Sequence, residues 1–126
     1  MRETLRKKIT RELIKKFAEA TDDYNPIHYD VKFARDSIFG RIIAHGILGA
    51  GLISAVIGTK LPGPGNVYLN QELRFLAPVF PGDEIIACAE IIELDEAKKL
   101  VKLATWCENQ NGKIVIEGKG LVLFRQ

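Results

Sequence analysis

The chain has 126 residues, the length of one ordinary domain, and can bury roughly two-thirds of its unfolded surface. Its 18 basic and 16 acidic side chains are mixed along the sequence and leave a net charge of only +2. We therefore expect a single domain over 1–126 that has neither nucleic acid nor an anionic membrane as its main partner.

The first residues and the two cysteines indicate the cellular compartment and its redox state. The first ten residues contain no apolar signal region, and no uninterrupted apolar run could span a bilayer, so a cytoplasmic protein is expected. Cys88 and Cys107 lie in apolar, strand-like runs without a C-x-x-C or metal-like spacing. Both are predicted to be reduced core residues.

The chain begins with a short candidate strand, Leu5–Ile9, and then an amphipathic helix. Thr10 is a suitable N-cap, and apolar residues recur at helical spacing through Arg11–Thr21. Asp22–Ile27 breaks this pattern, because Pro26 lacks an N–H and favours an extended residue before it, so a rigid turn is predicted.

A short helical piece capped by Asp30 and a connector over Ser37–Ile43 lead to an unusual segment that starts at His45. Its sequence, HGILGAGLISAVIG, is apolar on nearly all sides and stops at L-P-G-P-G. An apolar helix in a non-membrane protein must be surrounded by protein, and this one is too short for a membrane span. Its small residues would let another layer approach closely: Gly49, Ala50, Gly51 and Ala55.

After Gly65 the apolar residues alternate with polar ones, which predicts strands. Short turns at Pro81–Asp83 and Asn111-Gly112 join them, so the sheet should be antiparallel. The pattern predicts an α+β fold of the hot-dog type, a long sheet wrapped around one central apolar helix. An open sheet edge then favours a homodimer. The predicted strands are Leu69–Phe75, Glu84–Leu94, Leu100–Cys107 and Lys113–Phe124.

The stretch Thr21–Asp30, TDDYNPIHYD, carries the most chemistry. Asp23 and His28 flank the turn and could converge on one water, which an acceptor carboxylate and a titratable imidazole can hold and activate. The alternative is that the acidic residues cap turns and His28 is a surface histidine. Two histidines in the whole chain make a metal site a weak interpretation, so no metal is expected.

A second candidate is Ala44–Gly46, at the head of the apolar helix. No side chain immediately before Gly46 suits an N-cap, so its N–H could bind a substrate carbonyl oxygen. A water-capped helix start is the alternative. His45 could be catalytic, but a histidine in this position is more often packed and bonded to backbone. Ser54 could face a pocket or bond back to a carbonyl, and Gln71 could line a cavity or satisfy a neighbour.

These residues resemble a known family. DDYNPIHYD is similar to the hydratase signature of the (R)-specific enoyl-CoA hydratases, the MaoC-like branch of the hot-dog superfamily. The similarity continues through RIIAHGILGA and LPGPGNVYLNQELRFLAPV, and so covers essentially the whole chain.

The resemblance implies hydration of trans-2-enoyl-CoA to (R)-3-hydroxyacyl-CoA, and the reverse dehydration, with an active site at a dimer interface. It implies that Asp23 and His28 are catalytic, that Gly46 binds the thioester oxygen, that Asn25 shapes the loop, and that Ser54 lies near the site. Asn25, Ser54 and Gln71 are the candidate pocket residues. No cofactor is expected beyond the coenzyme A of the substrate.

Three alternatives share the fold. They are a 3-hydroxyacyl-[acyl carrier protein] dehydratase, a hot-dog acyl-CoA thioesterase and a non-catalytic acyl-CoA-binding domain. The intact D-x-N-P-x-H sequence argues against the last of these.

Overall fold

Five antiparallel strands form one sheet against a single long helix in a computed structural model that describes residues 1–124. This is the α+β, hot-dog architecture that the sequence predicts. Helix α1 begins and ends where expected, and the Thr10 hydroxyl accepts from the Leu13 N–H at 3.0 Å. The elements are β1 (Arg2–Lys8), α1 (Arg11–Thr21), α2 (Val31–Arg35), α3 (Gly46–Thr59), β2 (Asn66–Phe75), β3 (Glu84–Asp95), β4 (Leu100–Glu108) and β5 (Ile114–Phe124).

The strand order is β1-β3-β4-β5-β2, so β1 and β2 form the two edges. Strands β2 and β3 follow each other in sequence but are not neighbours, because β2 pairs with β5 and β3 pairs with β4. Both predicted turns form, and their glycines, Gly82 and Gly112, have φ angles of 97° and 75°. Strand β2 is left with one unpaired edge.

Helix α3 packs one face on the sheet. Its buried residues Leu48, Ile53, Val56 and Ile57 belong to the main apolar core. A Cβ added at Gly49 would lie 2.3 Å from Cδ1 of Ile116, so a small residue is needed for this close approach.

The opposite face of α3 is open in the single chain. Ile47 is 57% exposed, and Gly51 and Ser54 are exposed on the same side at helical spacing. The expectation that protein surrounds this helix is therefore wrong for one chain. The reason is geometric, since one sheet covers only one side of a helix and the other side needs a further surface.

Strand β2 also departs from simple alternation. Its register with β5 shifts between Tyr68 and Asn70, which leaves Leu69 half exposed. Tyr68 and Leu73 pack against the core instead. Leu69 therefore does not share the inward face of Gln71 and Leu73, because the bulge inserts one residue and reverses the faces before it.

Both cysteines are buried and free, as predicted. Burial raises the pKa of Cys88 to about 11 and that of Cys107 to about 12, so both are protonated, unreactive thiols. Within residues 1–124, no helix has the length and apolar character needed to cross a membrane.

Candidate active site

The turn after α1 is built by local side-chain caps. Asp22 adopts a left-handed conformation with φ 60° and ends the helix. The Asn25 Oδ1 accepts from the Ile27 N–H at 3.3 Å, and Pro26–His28 then forms one tight helical turn. The result places His28 in the interior and leaves Asp23 exposed beside it.

The hydrogen bond of His28 determines its tautomer. Its Nδ1 lies 2.8 Å from the carbonyl oxygen of Ile43, which can only accept, so Nδ1 carries the hydrogen. The Nε2 atom of the neutral ring is then an acceptor. Burial lowers the pKa of His28 below 6.5, and His45 adds to this, whereas the Ile43 bond and Asp23 oppose it. His28 is therefore held as a neutral base.

His45 lies directly against this group. The rings of His28 and His45 are stacked, with centroids 3.8 Å apart and planes 29° apart. The Nε2 of His45 lies 3.0 Å from the main-chain oxygen of Asp23. The interpretation of His45 as a packed histidine bonded to backbone is confirmed.

Asp23, His28 and His45 bring potential ligand atoms within 4.8 Å of one another. One nitrogen of each ring already faces a carbonyl oxygen, which leaves His28 Nε2 and His45 Nδ1 as the free ring nitrogens beside the Asp23 carboxylate. Lone pairs lie in the ring plane, so two stacked rings direct them side by side rather than to one point. This arrangement is a poor metal cage, and the expectation of no metal stays a prediction.

Helix α3 begins at Gly46, immediately after His45, and no side chain caps it. Among residues 1–124, no acceptor meets the N–H of Gly46. Gly46 lines an apolar cavity of about 480 Å³. Its walls include Phe39, Ile43, Ile47, Phe75, Leu76 and Val79.

His28 lines a different cavity, of about 540 Å³, between α1 and the turn. Arg11 and Lys15 of α1 border it, together with Tyr24 and Tyr29. This basic border was not predicted from the sequence, although the four-residue spacing of Arg11 and Lys15 places both on one helix face. In the single chain the two cavities share no wall residue. A third cavity, about 720 Å³ along β2, β4 and β5, contains none of the predicted site residues.

The three pocket candidates lie apart from these cavities. Asn25 caps the turn, which fits a loop-shaping role. Ser54 lies on the open face of α3, and Gln71 donates to the Thr105 hydroxyl at 3.0 Å inside the sheet. A substrate contact for any of them stays a prediction.

Comparison with known proteins identifies the family of this chain. Residues 1–111 match the family model described as "MaoC like domain". The chain is 46% identical over 120 residues to a 3-hydroxybutyryl-CoA dehydratase of Methylorubrum extorquens, covering 95% of this chain and 76% of that one. It is 45% identical to an (R)-specific enoyl-CoA hydratase of Rhodospirillum rubrum, covering 95% and 83%.

The same family relationship is seen in the three-dimensional fold. An (R)-hydratase structure from A. caviae superposes with a TM-score of 0.95 at 38% identity, covering 99% of this chain and 95% of that one. The chain belongs to the MaoC-like dehydratase family of the hot-dog fold.

Proposed function

We propose that the protein is a hydro-lyase that adds water to trans-2-enoyl-CoA and gives (R)-3-hydroxyacyl-CoA, and also catalyses the reverse dehydration. The mechanism is supported by two hydrogen-bond acceptors, the Asp23 carboxylate and His28 Nε2, and by the start of helix α3, which no side chain caps. Asp23 and His28 hold the water, and the Gly46 N–H binds the thioester oxygen.

The tautomer of His28 supports the water-holding role. Because Nδ1–H is directed to Ile43, the Nε2 atom can only accept, and so can the Asp23 carboxylate. A water that donates one hydrogen to each acceptor keeps its lone pairs free for attack on C3 of the enoyl group. Addition of oxygen to C3 and of a proton to C2 from this one side gives a single stereochemical product.

The head of α3 supports the carbonyl role. Polarising the thioester oxygen draws electrons from C3, and a fixed N–H stabilises the enolate that develops. The apolar cavity of about 480 Å³ beside Gly46 suits an acyl chain.

A homodimer would complete this site. Strand β2 has an unpaired edge, and Val67, Leu69 and Phe75 on it are half exposed. Pairing of β2 with its counterpart in a second copy would bury this edge and the open face of α3, and could join the two cavities. Light scattering of the purified protein tests this, and a monomer at micromolar concentration with full activity would contradict it.

No metal or redox cofactor is part of the proposal, because coenzyme A enters with the substrate. Activity should survive dialysis against a chelator. The cytoplasmic location stays a prediction.

The deciding experiment measures hydration of enoyl-CoA substrates of several chain lengths and determines the configuration of the product. The proposal expects the (R)-3-hydroxyacyl-CoA. Faster turnover of the same acyl group on acyl carrier protein would favour the carrier-protein dehydratase, and release of free thiol would favour a thioesterase. Saturable acyl-CoA binding without any turnover would identify a binding domain.

A further inference from the structure

His45 uses only half of its hydrogen-bonding capacity. It is 3% exposed, and its Nε2 faces the Asp23 carbonyl, so Nε2 carries the hydrogen and Nδ1 is an acceptor. This Nδ1 is buried and has no partner among residues 1–124. A buried, unsatisfied acceptor costs about 1–3 kcal/mol. An apolar ring of the same size would avoid that cost, so stability alone does not explain a histidine here.

The contacts of His45 explain it better. Its ring stacks on His28 at 3.8 Å and lies 4.8 Å from the ring of Phe17. The Ile43 hydrogen bond fixes one atom of the His28 ring, and the stacked His45 ring limits rotation about that bond. Together they fix the direction of His28 Nε2.

His45 also contacts Asp23, the second residue of the proposed water-holding pair. Its Nε2–H donates to the main chain of Asp23, 22 residues earlier in the sequence. Asp23 is otherwise held by local bonds of 3.3–3.4 Å within the turn, involving Thr21 and Asn25. The donation to Asp23 therefore ties an exposed turn to the head of α3.

We propose that His45 is the positioning residue of the site, which fixes Asp23 through its Nε2–H and His28 through its ring. This inference rests on the proposed function, in which Asp23 and His28 hold the water. Because His45 adjoins Gly46 in the chain, one residue then sets the position of the water relative to the carbonyl-binding N–H.

Ring nitrogen NMR tests the geometry without any substrate. The chain has two histidines, so long-range ¹H–¹⁵N correlations give two ring patterns, and a His45→Phe variant assigns them. At neutral pH we expect opposite tautomers, Nδ1–H for His28 and Nε2–H for His45. The same tautomer in both rings, or rapid averaging in His45, would overturn the proposal.

Two variants separate the effect of the stacked His45 ring from that of its Nε2–H hydrogen bond. His45→Phe keeps the stacked ring and loses the donor, whereas His45→Gln keeps an N–H at similar reach and loses the ring. We expect each to lower kcat by about 10- to 100-fold, because small misplacements are costly in a preorganised site. KM should change little. The melting temperature of His45→Phe should stay near the wild-type value, because removal of the unsatisfied Nδ1 offsets the lost hydrogen bond to Asp23.

A purely structural role predicts the opposite result, a lower melting temperature with unchanged kcat in the folded fraction. Wild-type kcat in both variants would equally overturn the proposal. If the wild-type protein turns over no enoyl thioester, the proposed function fails, and the NMR result still decides whether His45 orders the pair.

Discussion

Two polar clusters in the described part of the chain, residues 1–124, differ in which hydrogen-bonding groups they leave free. In the sheet, Gln71 donates to Thr105 at 3.0 Å and to the Glu72 carbonyl at 2.9 Å, and it accepts from the Tyr68 hydroxyl. Burial raises the pKa of Tyr68, which keeps that donor protonated. The side-chain amide of Gln71 has a partner on both its nitrogen and its oxygen.

The cluster at the head of α3 is only partly satisfied. Within residues 1–124, His28 Nε2, His45 Nδ1 and the Gly46 N–H have no protein partner. Buried polar groups are normally paired, so the buried, unpaired Nδ1 of His45 next to the free Nε2 of His28 is more typical of a functional site than of a packed core. We therefore expect the sheet cluster to contribute to stability and the helix-head cluster to contribute to catalysis, and substitutions test both expectations.

The largest effect is expected from removing the water-holding groups. Asp23→Asn and His28→Ala should each lower the hydration kcat by about 10²- to 10⁴-fold, the usual contribution of general acid–base catalysis. Steady-state kinetics with crotonyl-CoA provides the measurement.

Asp22→Asn is the matched control for Asp23→Asn. Asp22 is exposed, and asparagine accepts its left-handed backbone, so kcat should stay near the wild-type value. Near wild-type hydration in Asp23→Asn and His28→Ala would show that the pair is not catalytic.

The next effect concerns the Gly46 N–H. Proline is tolerated at the first position of a helix, and His45 has the extended ψ of 130° that a following proline requires. Gly46→Pro should therefore remove the N–H with little change in backbone, and lower kcat by about 10²- to 10³-fold.

Gly46→Ala controls for the added carbon, since it keeps the N–H. A Cβ here would lie 2.8 Å from the Phe75 ring, which must shift in both variants. Equal kcat in the alanine and proline variants would exclude a role for this N–H.

A smaller effect, on stability, is expected from the sheet cluster. Gln71→Leu leaves the buried Thr105 hydroxyl without its amide donor and should lower the free energy of unfolding by about 1–3 kcal/mol. Urea unfolding measures this, with the exposed Asn70→Leu as the control at about 0.5 kcal/mol or less. If Gln71→Leu instead keeps its stability and changes chain-length preference, Gln71 is a pocket residue after all.

The smallest effect is a pH dependence of stability. His28 has a folded-state pKa below its unfolded value of 6.5, so the unfolded chain binds more protons in that interval. The free energy of unfolding should fall as the pH drops from about 6.5 through the lowered pKa, and then level off.

The charged and titratable groups around His28 in this experiment are Asp23 and His45, with Arg11, Glu12 and Lys15 from α1. Urea titrations of the wild type and His28→Gln between pH 5 and 8 isolate the contribution of His28. Parallel pH curves for the two proteins would contradict a lowered pKa.

The sequence predicted the local elements well, because their signals are local. Thr10 and the apolar spacing that follows place α1 at its observed bounds, and Asp30 caps α2 as expected. Pro26 and Asn25 predict the rigid turn that presents His28. The β2 bulge and the open face of α3 were not predictable, because both depend on which surfaces the sheet covers.

The sequence by itself determined the fold class, because periodicity and turn chemistry are properties of neighbouring residues. The family resemblance added the prediction that Asp23 and His28 form the catalytic pair. Only the tertiary structure decided what those residues can do. The tautomer of His28 depends on Ile43, 15 residues away, and Asp23 is held by His45 from the head of another helix. Hydrogen bonds between distant segments have no local signal, so the sequence alone could not predict how this turn is held against the head of α3.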